Sequence, residues 1–324
     1  GGAEVGSSGP PVESALLGLG LAAKEHCSVR GEALCRRVLV VGDGNLSYSK
    51  ALCQALLRRW GRDEQEEGET RDPDECSQGS GSKREVLRGV EVTATCWPAE
   101  TELAAMHPSS LVHRGDIQHC GGLVFAGVDA TELHTTPSIC PWAVRAKNDV
   151  TTRGSTSVCP VEEGYDRVVF NFPQHPSHKK IQFQRTLLRK FLVSARGLID
   201  SRDGQVWVTL KGGQGGSRAE LPEYARDYNT TWQVQEQAAH AGLVLVEVLP
   251  ARVDSLVQWG YQSTGFRNGD RQFVTGGALV HVFQAPCPTA RRVLHPLRYR
   301  RDISFWVGQS FSEPRLRSLL KSIF

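Results

Sequence analysis

The segment from Val38 to Ser49 constrains the fold of this chain more than any other, because it joins a strand, a glycine turn and a helix. The apolar run Val-Leu-Val-Val leads into Gly42, and Gly44 follows just before a helical pattern begins near Leu46. Glycine permits backbone angles and a close approach that a side chain would prevent, and the first turn of a helix carries N–H groups without intrahelical partners. The segment therefore predicts a cradle for a nucleotide-like cofactor, although an ordinary strand-to-helix turn would need the same glycines.

The spacing of the turn distinguishes between cofactors. It reads G-x-G-x-x-S, so Ser47 stands where the dinucleotide fingerprint has its third glycine, and the pyrophosphate of NAD would gain less from such a turn. We therefore expect S-adenosylmethionine rather than a dinucleotide. The predicted cofactor contacts in the turn are Gly42, Asp43, Gly44, Asn45 and Ser47.

Composition limits the class of protein. The chain has 324 residues, of which 40% are hydrophobic, enough for one large α/β domain and part of another. A net charge of +3 is compatible with nucleic-acid binding without requiring it. The nine cysteines include no C-x-x-C pair, which argues against a disulfide framework and a thiolate zinc site and favours a reducing compartment. We expect a cytoplasmic protein, with nucleolar or mitochondrial placement as alternatives, and neither a bound metal nor a membrane span.

Two polar segments interrupt the chain and a third precedes it. Residues 1–34 are rich in Gly, Ser and Pro and are predicted to form a flexible leader. The stretches at about 61–85 and 134–163 are polar and bury too little apolar area to offset the entropy of ordering them. We therefore expect one domain over 35–285 with two disordered insertions. A linker and a further partial domain are expected over 286–324.

Apolar runs and helical periodicity alternate along the predicted domain. After the first strand, the pattern predicts strands at 90–96, 123–128, 165–173, 206–210, 243–248 and 278–283. It predicts helices at about 46–60, 99–106 and 231–241, and a long basic one beginning near His178. Strands that alternate with helices indicate a doubly wound, mainly parallel Rossmann-like sheet. The last two strands have no helical pattern between them, so we expect them to pair antiparallel at one edge.

Ligands of such sheets bind at the carboxyl ends of the strands, so the residues that directly follow each strand are the candidates for function. Asn171, Phe172 and Pro173 end one strand with an amide, an aromatic ring and a rigid proline, a combination suited to a planar base. A proline turn with a buried Phe would show the same pattern. Asp129, followed by Ala130, could hydrogen-bond an adenine amine or cap the following helix.

Basic residues follow two of these strand ends. Lys179, Lys180 and Arg185 belong to the long amphipathic helix, whose basic side chains either meet nucleic acid or form an ordinary solvated face. Lys211 precedes the run Gly-Gly-Gln-Gly-Gly, which either meets a phosphate or only turns the chain. These four residues are the predicted nucleic-acid contacts.

Six motifs in the same order resemble those of one known family. They read VLVVGDGNLSYSKAL, GVDATEL, YDRVVFNFPQH, VWVTLKGGQGG, NTTWQVQEQAAHAGLVLVEVLP and GYQSTGFR. Over residues 36–285 the chain resembles the DUF2431 domain of the yeast-type 25S ribosomal RNA uridine-N3 methyltransferases. The resemblance implies a Rossmann-like methyltransferase fold with S-adenosylmethionine over the glycine turn. It also implies an RNA substrate whose flipped uracil lies near Asn171, Phe172 and Pro173.

Methylation of uracil N3 requires that this nitrogen lose its proton, so such a site must contain a base or favour the anion. His175 is the candidate base. The family usually has a histidine directly after the strand-end proline, where this chain has Gln174, and usually has glutamate in place of Asp43. It also usually carries an acidic residue shortly after the second strand, suited to the cofactor ribose, whereas Cys-Trp-Pro, ending at Pro98, stands here.

The tail from Leu294 to Trp306 resembles the opening of a ferredoxin-fold anticodon-binding domain, a module familiar from the C-terminus of phenylalanyl-tRNA synthetases. The resemblance implies that the chain stops inside this ferredoxin-like α+β module, after a first strand and a helix over 314–323. We expect residues 290–324 to be weakly anchored. The RNA partner is then either ribosomal or transfer RNA.

Three functions are compatible with these features. The first is an RNA base N-methyltransferase that uses S-adenosylmethionine. The second is an RNA-binding protein that retains the same fold without catalysis. The third, a nucleotide-dependent oxidoreductase, is disfavoured by Ser47 and by the lack of an acidic residue at the end of the second strand.

Overall fold

The computed structural model describes residues 36–60, 90–140, 164–201, 203–264, 273–286 and 311–323. Its strands are β1 (Arg36–Val41), β2 (Val90–Thr95), β3 (Leu123–Phe125), β4 (Arg167–Asn171), β5 (Gln205–Leu210), β6 (Val244–Pro250) and β7 (Leu279–Gln284). Its helices are α1 (Ser47–Trp60), α2 (Glu100–Met106), α3 (Ser109–His119), α4 (Ile181–Arg196), α5 (Val234–His240), α6 (Val253–Val257) and α7 (Glu313–Ile323). No described helix has the length and apolar character that a bilayer crossing demands.

The seven described strands form one sheet in the order β3-β2-β1-β4-β5-β7-β6. β1 lies between β2 and β4 and pairs parallel with both, and the outer pairs β2/β3 and β4/β5 are also parallel. β7 runs antiparallel between β5 and β6, which makes β6 the edge strand. The predicted doubly wound, mainly parallel Rossmann-like sheet with an antiparallel edge hairpin is therefore confirmed.

Two helices are not predicted by the sequence pattern. α3 buries only one of its three apolar residues, Ile117, together with polar side chains, and exposes Leu111 and Val112, so its apolar pattern does not mark its buried face. α6 lies in the connection between β6 and β7, where no helical pattern is found, and has only five residues. Strand β3 is also shorter than the predicted strand at 123–128, since it ends at Phe125.

Both faces of the sheet are covered, and β1 lies between two hydrophobic cores. Val38 and Val40 point into the core that contains α1 and α3, whereas Leu39 and Val41 point into the core that contains α4 and α5. All four side chains are at most 1% exposed. A parallel strand buried on both faces requires a continuous apolar run, which explains the sequence Val-Leu-Val-Val before the glycine turn.

The first residues of the second predicted insertion are packed against the domain. Ile139 and Cys140 are buried in the core on the α4 side, and the hydroxyl of Tyr165 donates to the carbonyl oxygen of Ile139 at 3.0 Å. Residues 134–140 therefore belong to the packed structure, which corrects the predicted start of the insertion, because two apolar residues suffice to anchor this polar stretch. The rest of both predicted insertions, the predicted leader and most of the predicted C-terminal module lie outside the described residues.

The arginines of α4 hold this helix against α5 and the loop before it. Arg185 donates to the carbonyl oxygens of Asn229, at 2.6 Å, and Thr231, at 2.6 and 2.9 Å. Arg189 and Arg196 likewise donate to acceptors on α5 and in the turn after it. These three arginines of the predicted basic helix therefore belong to an intramolecular interface.

Replacement of Arg185 by alanine is expected to lower the free energy of unfolding by about 1–2 kcal/mol, because the carbonyl oxygens of Asn229 and Thr231 lose a charged donor. Chemical denaturation of the variant measures this loss. Lys180→Ala is the matched control, since Lys180 is exposed at the start of the same helix and should leave stability unchanged. Equal stability of the two variants would contradict the structural role of Arg185.

Candidate functional site

A cavity of about 780 Å³ opens at the carboxyl edge of the parallel strands. This volume lies within the range of about 300–1,000 Å³ that is usual for small-molecule sites. The predicted residues on its wall are Gly42, Asp43, Gly44, Asn45, Asp129, Ala130, Asn171, Phe172, Pro173, His175, Lys179 and Lys211. Ser47, Lys180 and Arg185 lie off the wall. Segments that are far apart in sequence thus meet at one site.

The two glycines of the turn after β1 serve different purposes. Gly42 has a positive φ of 65°, and a Cβ atom there would lie 2.7 Å from the ring of Phe170, so both the backbone angle and the packing exclude a side chain. A Cβ atom on Gly44 would approach nothing closer than Thr264, at 3.7 Å. Gly42 therefore shapes the turn, and Gly44 leaves space on the cavity wall.

The turn caps helix α1 with its own side chains. Asp43 Oδ2 accepts from the N–H of Ser49 at 2.8 Å and from its hydroxyl at 2.7 Å, and Asn45 Oδ1 accepts from the N–H of Ser47 at 3.1 Å. Some of the N–H groups expected to be unpaired are thus taken within the protein. A pyrophosphate would find few free donors here and a carboxylate beside it, whereas a positively charged ligand would be favoured.

Asp43 is a buried acidic group on this wall. Burial raises the pKa of its carboxyl, while the hydrogen bonds from Ser49 and the nearby His113 act in the opposite direction. The Nδ1 atom of His113 lies 2.8 Å from the carbonyl oxygen of Asn45, which fixes the ring beside the turn. The net pKa is above the ordinary value, so holding the ionised form in this place costs free energy.

Ser47 joins the turn to a distant segment rather than facing the cavity. Its hydroxyl donates to the carbonyl oxygen of Gln262 at 3.1 Å and accepts from the N–H of the same residue at 3.0 Å. The side chain is fully buried. The cofactor contact predicted for Ser47 is therefore replaced in the structure by a positioning role, which brings Tyr261 and Thr264 onto the wall.

The end of β3 combines a carboxylate with a backbone donor. Asp129 Oδ1 accepts from the N–H and the hydroxyl of Thr131, at 2.7 and 2.8 Å. Its second oxygen and the N–H of Ala130 have no hydrogen-bond partner among the described residues. Asp129 thus closes a local turn and still presents an acceptor beside a donor, a pair that matches the amine and ring nitrogen of an adenine edge.

Asn171 presents an unsatisfied amide at the floor of the cavity. The hydroxyl of Thr209 lies 2.5 Å from Asn171 Oδ1 and donates to it, which leaves Nδ2 as the end available to a ligand. Nδ2 is buried and has no hydrogen-bond partner among the described groups. The next residue, Phe172, has a positive φ of 48°, an angle that costs a non-glycine residue free energy. Strain and an orphaned donor at one strand end are typical of a ligand site.

Two tyrosines that the sequence pattern does not single out complete this end of the cavity. Tyr48 and Tyr261 meet edge to face, with ring centroids 6.1 Å apart. Burial raises the pKa of Tyr48 well above its ordinary value, against the opposing effect of the neighbouring Asn171 amide, and burial also raises the pKa of Tyr261. Both hydroxyls therefore keep their protons at neutral pH and can donate hydrogen bonds.

His175 is held in one tautomer. Its Nδ1 atom accepts from the backbone N–H groups of Ser177 and His178, both at 3.2 Å. A ring nitrogen that accepts carries no proton, so the neutral ring has its proton on Nε2. The backbone N–H of His175 donates to Gln184 at 2.8 Å, which fixes the segment further. His175 is thus presented as a donor, and its role as general base stays a prediction that this tautomer does not favour.

Three lysines contribute to the cavity wall. Lys179 precedes α4, Lys190 lies on that helix, and Lys211 follows β5. The wall has fewer acidic residues, Asp43 and Asp129. This excess of positive charge is suited to an anionic ligand.

The backbone N–H groups of the glycine-rich run after Lys211 are hydrogen-bonded within the protein. The carboxylate of Glu220 accepts from the N–H of Gly213 at 2.7 Å and from the N–H of Gly215 at 3.1 Å. Of the two alternatives for this run, the structure therefore favours a chain turn built around Glu220, because the donors that a phosphate would need are already paired. No cluster of potential metal ligands occurs among the described residues.

Several known proteins are similar in sequence to this chain. A family model described as rRNA (uridine-N3-)-methyltransferase BTM5-like matches residues 39–262. Ferredoxin-fold anticodon-binding domain-containing protein 1 homolog from Mus musculus is 30% identical over 256 residues, and the Homo sapiens protein is 29% identical over 253. The alignments cover 79% and 78% of the chain but 32% and 31% of these relatives, so the chain spans about a third of their length.

Two solved methyltransferase structures are among those to which the chain is similar. The 16S rRNA methyltransferase KamB is 14% identical with a TM-score of 0.37, covering 78% of the chain and 90% of that structure. The methyltransferase CcbJ from Streptomyces caelestis is 15% identical with a TM-score of 0.34, covering 86% of the chain and 91% of that structure.

Asp43→Asn is expected to change how stability depends on pH. The pKa of the Asp43 carboxyl is higher in the folded state than in the unfolded state. As pH rises above about 4, the carboxyl ionises more readily in the unfolded state, so the free energy of unfolding falls. Asparagine has no such loss. The difference in melting temperature, variant minus wild type, should therefore be larger at about pH 8 than at about pH 4.

Thermal unfolding at both pH values measures this difference, and Glu102→Gln, which neutralises an exposed carboxylate off the cavity wall, is the control. If the difference in melting temperature between variant and wild type does not change with pH, folding does not raise the pKa of Asp43.

Proposed function

The chain belongs to the BTM5-like family of rRNA (uridine-N3-)-methyltransferases, and we propose that it is itself an S-adenosylmethionine-dependent enzyme that methylates N3 of a uridine in RNA. One observation carries the proposal. A single cavity of about 780 Å³ joins the glycine turn with its buried carboxylate to the strand end Asn171-Phe172-Pro173. A methyl transferase needs this adjacency, because donor and acceptor must meet in one site.

The glycine-turn end of the cavity fits the cofactor. Gly44 leaves room on the wall, and Asp43 places a carboxylate where a ligand with a sulfonium and an ammonium group gains from it. The Asp129 oxygen and the Ala130 N–H would take the adenine edge. Bound there, S-adenosylmethionine supplies an electrophilic methyl group. The sparse free donors at the start of α1 argue against a dinucleotide and so against the oxidoreductase alternative.

The other end of the cavity fits uracil. N3 of uracil lies between two carbonyl groups, and loss of its proton spreads negative charge onto their oxygens. Asn171 Nδ2 is buried without an acceptor among the described groups, the protonated hydroxyl of Tyr48 lies beside it, and both would donate to such oxygens. The site would therefore act by favouring the anion, with Nε2–H of His175 as a further donor, so that the N3 proton is lost to solvent water before methyl transfer and no protein side chain need accept it.

RNA is the proposed partner. Lys179, Lys190 and Lys211 would hold phosphates near the cavity, so binding should weaken as salt increases. The family favours ribosomal RNA, and the anticodon-binding resemblance of the tail keeps transfer RNA as the alternative.

The described cysteines Cys53, Cys96, Cys120 and Cys140 are buried free thiols, which fits a reducing compartment such as the cytoplasm.

A second candidate function is RNA binding without catalysis. One observation favours it, because no carboxylate from the end of β2 reaches the cavity wall. Glu100 is ion-paired with Arg114, and neither Glu100 nor Glu102 lines the cavity. Cofactor affinity separates the two candidates.

Calorimetry with S-adenosylmethionine on the whole chain should detect binding to the wild type. Gly44→Val should weaken this binding at least about tenfold, equal to about 1.4 kcal/mol, because its side chain enters the cradle. Gly115→Ala is the matched control, since a Cβ atom there meets nothing within 4 Å on α3. Absence of heat with the wild type at millimolar cofactor would refute the enzyme and leave RNA binding as the function.

Asn171→Ala should reduce methyl transfer about 100-fold and leave cofactor affinity within about twofold, because the lost amide donor stabilises only the reacting base. Transfer is measured with tritiated cofactor and uridine-containing RNA, followed by nucleoside analysis. Thr209→Val should act in the same direction, since Asn171 loses the hydroxyl that orients it, while Thr209→Ser should retain activity. Full activity of Asn171→Ala would remove the base site from this strand end.

A further inference from the structure

The residue that β2 contributes to the cavity is an aromatic one. Trp97 directly follows the buried Cys96 after the end of β2, lines the cavity, and leaves 53% of its surface exposed. Among the described residues between β2 and α2 it alone lies on the wall. A large aromatic side chain left half exposed at a ligand cavity is a common feature of binding sites, because burying it against a ligand is favourable.

The backbone around Trp97 is fixed on both sides. The N–H of Cys96 donates to Phe125 at 3.1 Å, and the N–H groups of Val128 and Gly127 donate to the carbonyl oxygens of Cys96, at 3.0 Å, and Pro98, at 2.9 Å. Pairing between the second and third strands thus continues beyond their regular ends. The indole is therefore attached to a rigid segment, as a preorganised binding group must be.

This segment lies between the two parts of the cavity assigned to the cofactor. The N–H of Asp43 donates to the carbonyl oxygen of Thr95 at 2.9 Å, so the glycine turn is tied to the end of β2. On the other side, Val128 is bonded to Cys96 directly before Asp129. An adenosyl group that reaches from the turn to Asp129 would pass Trp97.

The usual alternative for this place, a carboxylate that accepts from the ribose hydroxyls, is not provided by the described residues of β2 and α2. Glu100 is engaged by Arg114, and Glu102 is exposed away from the wall. What this wall offers to the sugar and base is an aromatic face, which binds by stacking and contact and does not read hydroxyl groups.

We propose, on the basis of the proposed function, that Trp97 binds the adenosyl group of the cofactor by packing its indole against the base and ribose. Affinity then depends on this ring and not on hydrogen bonds to the ribose hydroxyls. The site consequently accepts an adenosyl ligand that lacks the 2′-hydroxyl almost as well as the complete one. Trp97 is thus a binding and specificity residue for the cofactor.

The test uses the whole chain and S-adenosylhomocysteine, together with its 2′-deoxy analogue, in calorimetry and tryptophan fluorescence. Trp97→Ala should weaken binding of S-adenosylhomocysteine about 10- to 100-fold, and Trp97→Phe, which keeps an aromatic ring, should restore most of the affinity. Quenching of fluorescence by the ligand should be smaller in Trp97→Phe than in the wild type. The 2′-deoxy analogue should bind the wild type within about threefold of S-adenosylhomocysteine.

Leu111→Ala is the matched control, because Leu111 is 57% exposed on α3 and lies off the cavity wall. Equal affinity of Trp97→Ala and the wild type overturns this inference and leaves the proposed function standing. A large loss of affinity for the 2′-deoxy analogue also overturns it, since hydroxyl groups would then be read. No binding of either ligand to the wild type overturns the proposed function and, with it, the role of Trp97.

Discussion

The site depends on one buried carboxylate at the point where the central strand turns into a helix. Asp43 accepts hydrogen bonds from Ser49 and donates its own N–H to Thr95, so a single residue connects the glycine turn, α1 and β2. Burial raises the pKa of this carboxyl, which means that its ionised form destabilises the fold relative to a neutral cap. Such a cost at a cavity wall is reasonable where the carboxylate meets a positively charged ligand, as the proposed cofactor is.

The glycine turn also determines how the cavity is closed. The reciprocal hydrogen bonds between Ser47 and Gln262 join residues that are 215 positions apart in the chain. They place Tyr261 against Tyr48 and Thr264 opposite Gly44. The first turn of α1 therefore serves both ends of the cavity, since its flank receives the proposed cofactor and its Tyr48 side chain reaches the proposed base.

The sequence predicts the sheet and the position of the site because both follow from patterns that are local in the chain. The apolar run of β1 and the residues after each strand suffice for this, since carboxyl ends of parallel strands share one edge. The hydrogen-bond partners of individual side chains cannot be predicted from local sequence patterns. Arg185 binds carbonyl oxygens, which every residue possesses, so no sequence signal distinguishes it from a solvated or RNA-binding arginine.

The roles of Thr209 and Glu220 could not be predicted from the sequence for a related reason. Thr209 meets Asn171 only because β4 and β5 pair in parallel with these two residues in register. Glu220 pairs with the glycine-rich run through backbone N–H groups, whose directions depend on the folded turn. A hydroxyl opposite a strand-end amide is a signal that could have been sought once the strand register had been predicted.

The strand order alone places the two proposed substrates next to each other. β1 and β4 are neighbours in register, with Val41 beside Phe170, so the glycine turn and the Asn171 strand end emerge side by side. At the second of these ends Phe172, a non-glycine residue, has a positive φ of 48°, and strain of this kind costs about 1–3 kcal/mol per residue. A protein that only bound RNA on its lysines would gain stability by relaxing Phe172 and by pairing the orphaned amide of Asn171. Phe172 and Asn171 both line the cavity where the base would lie, so the strain and the unpaired donor coincide at the proposed base site, which favours methyl transfer over binding alone.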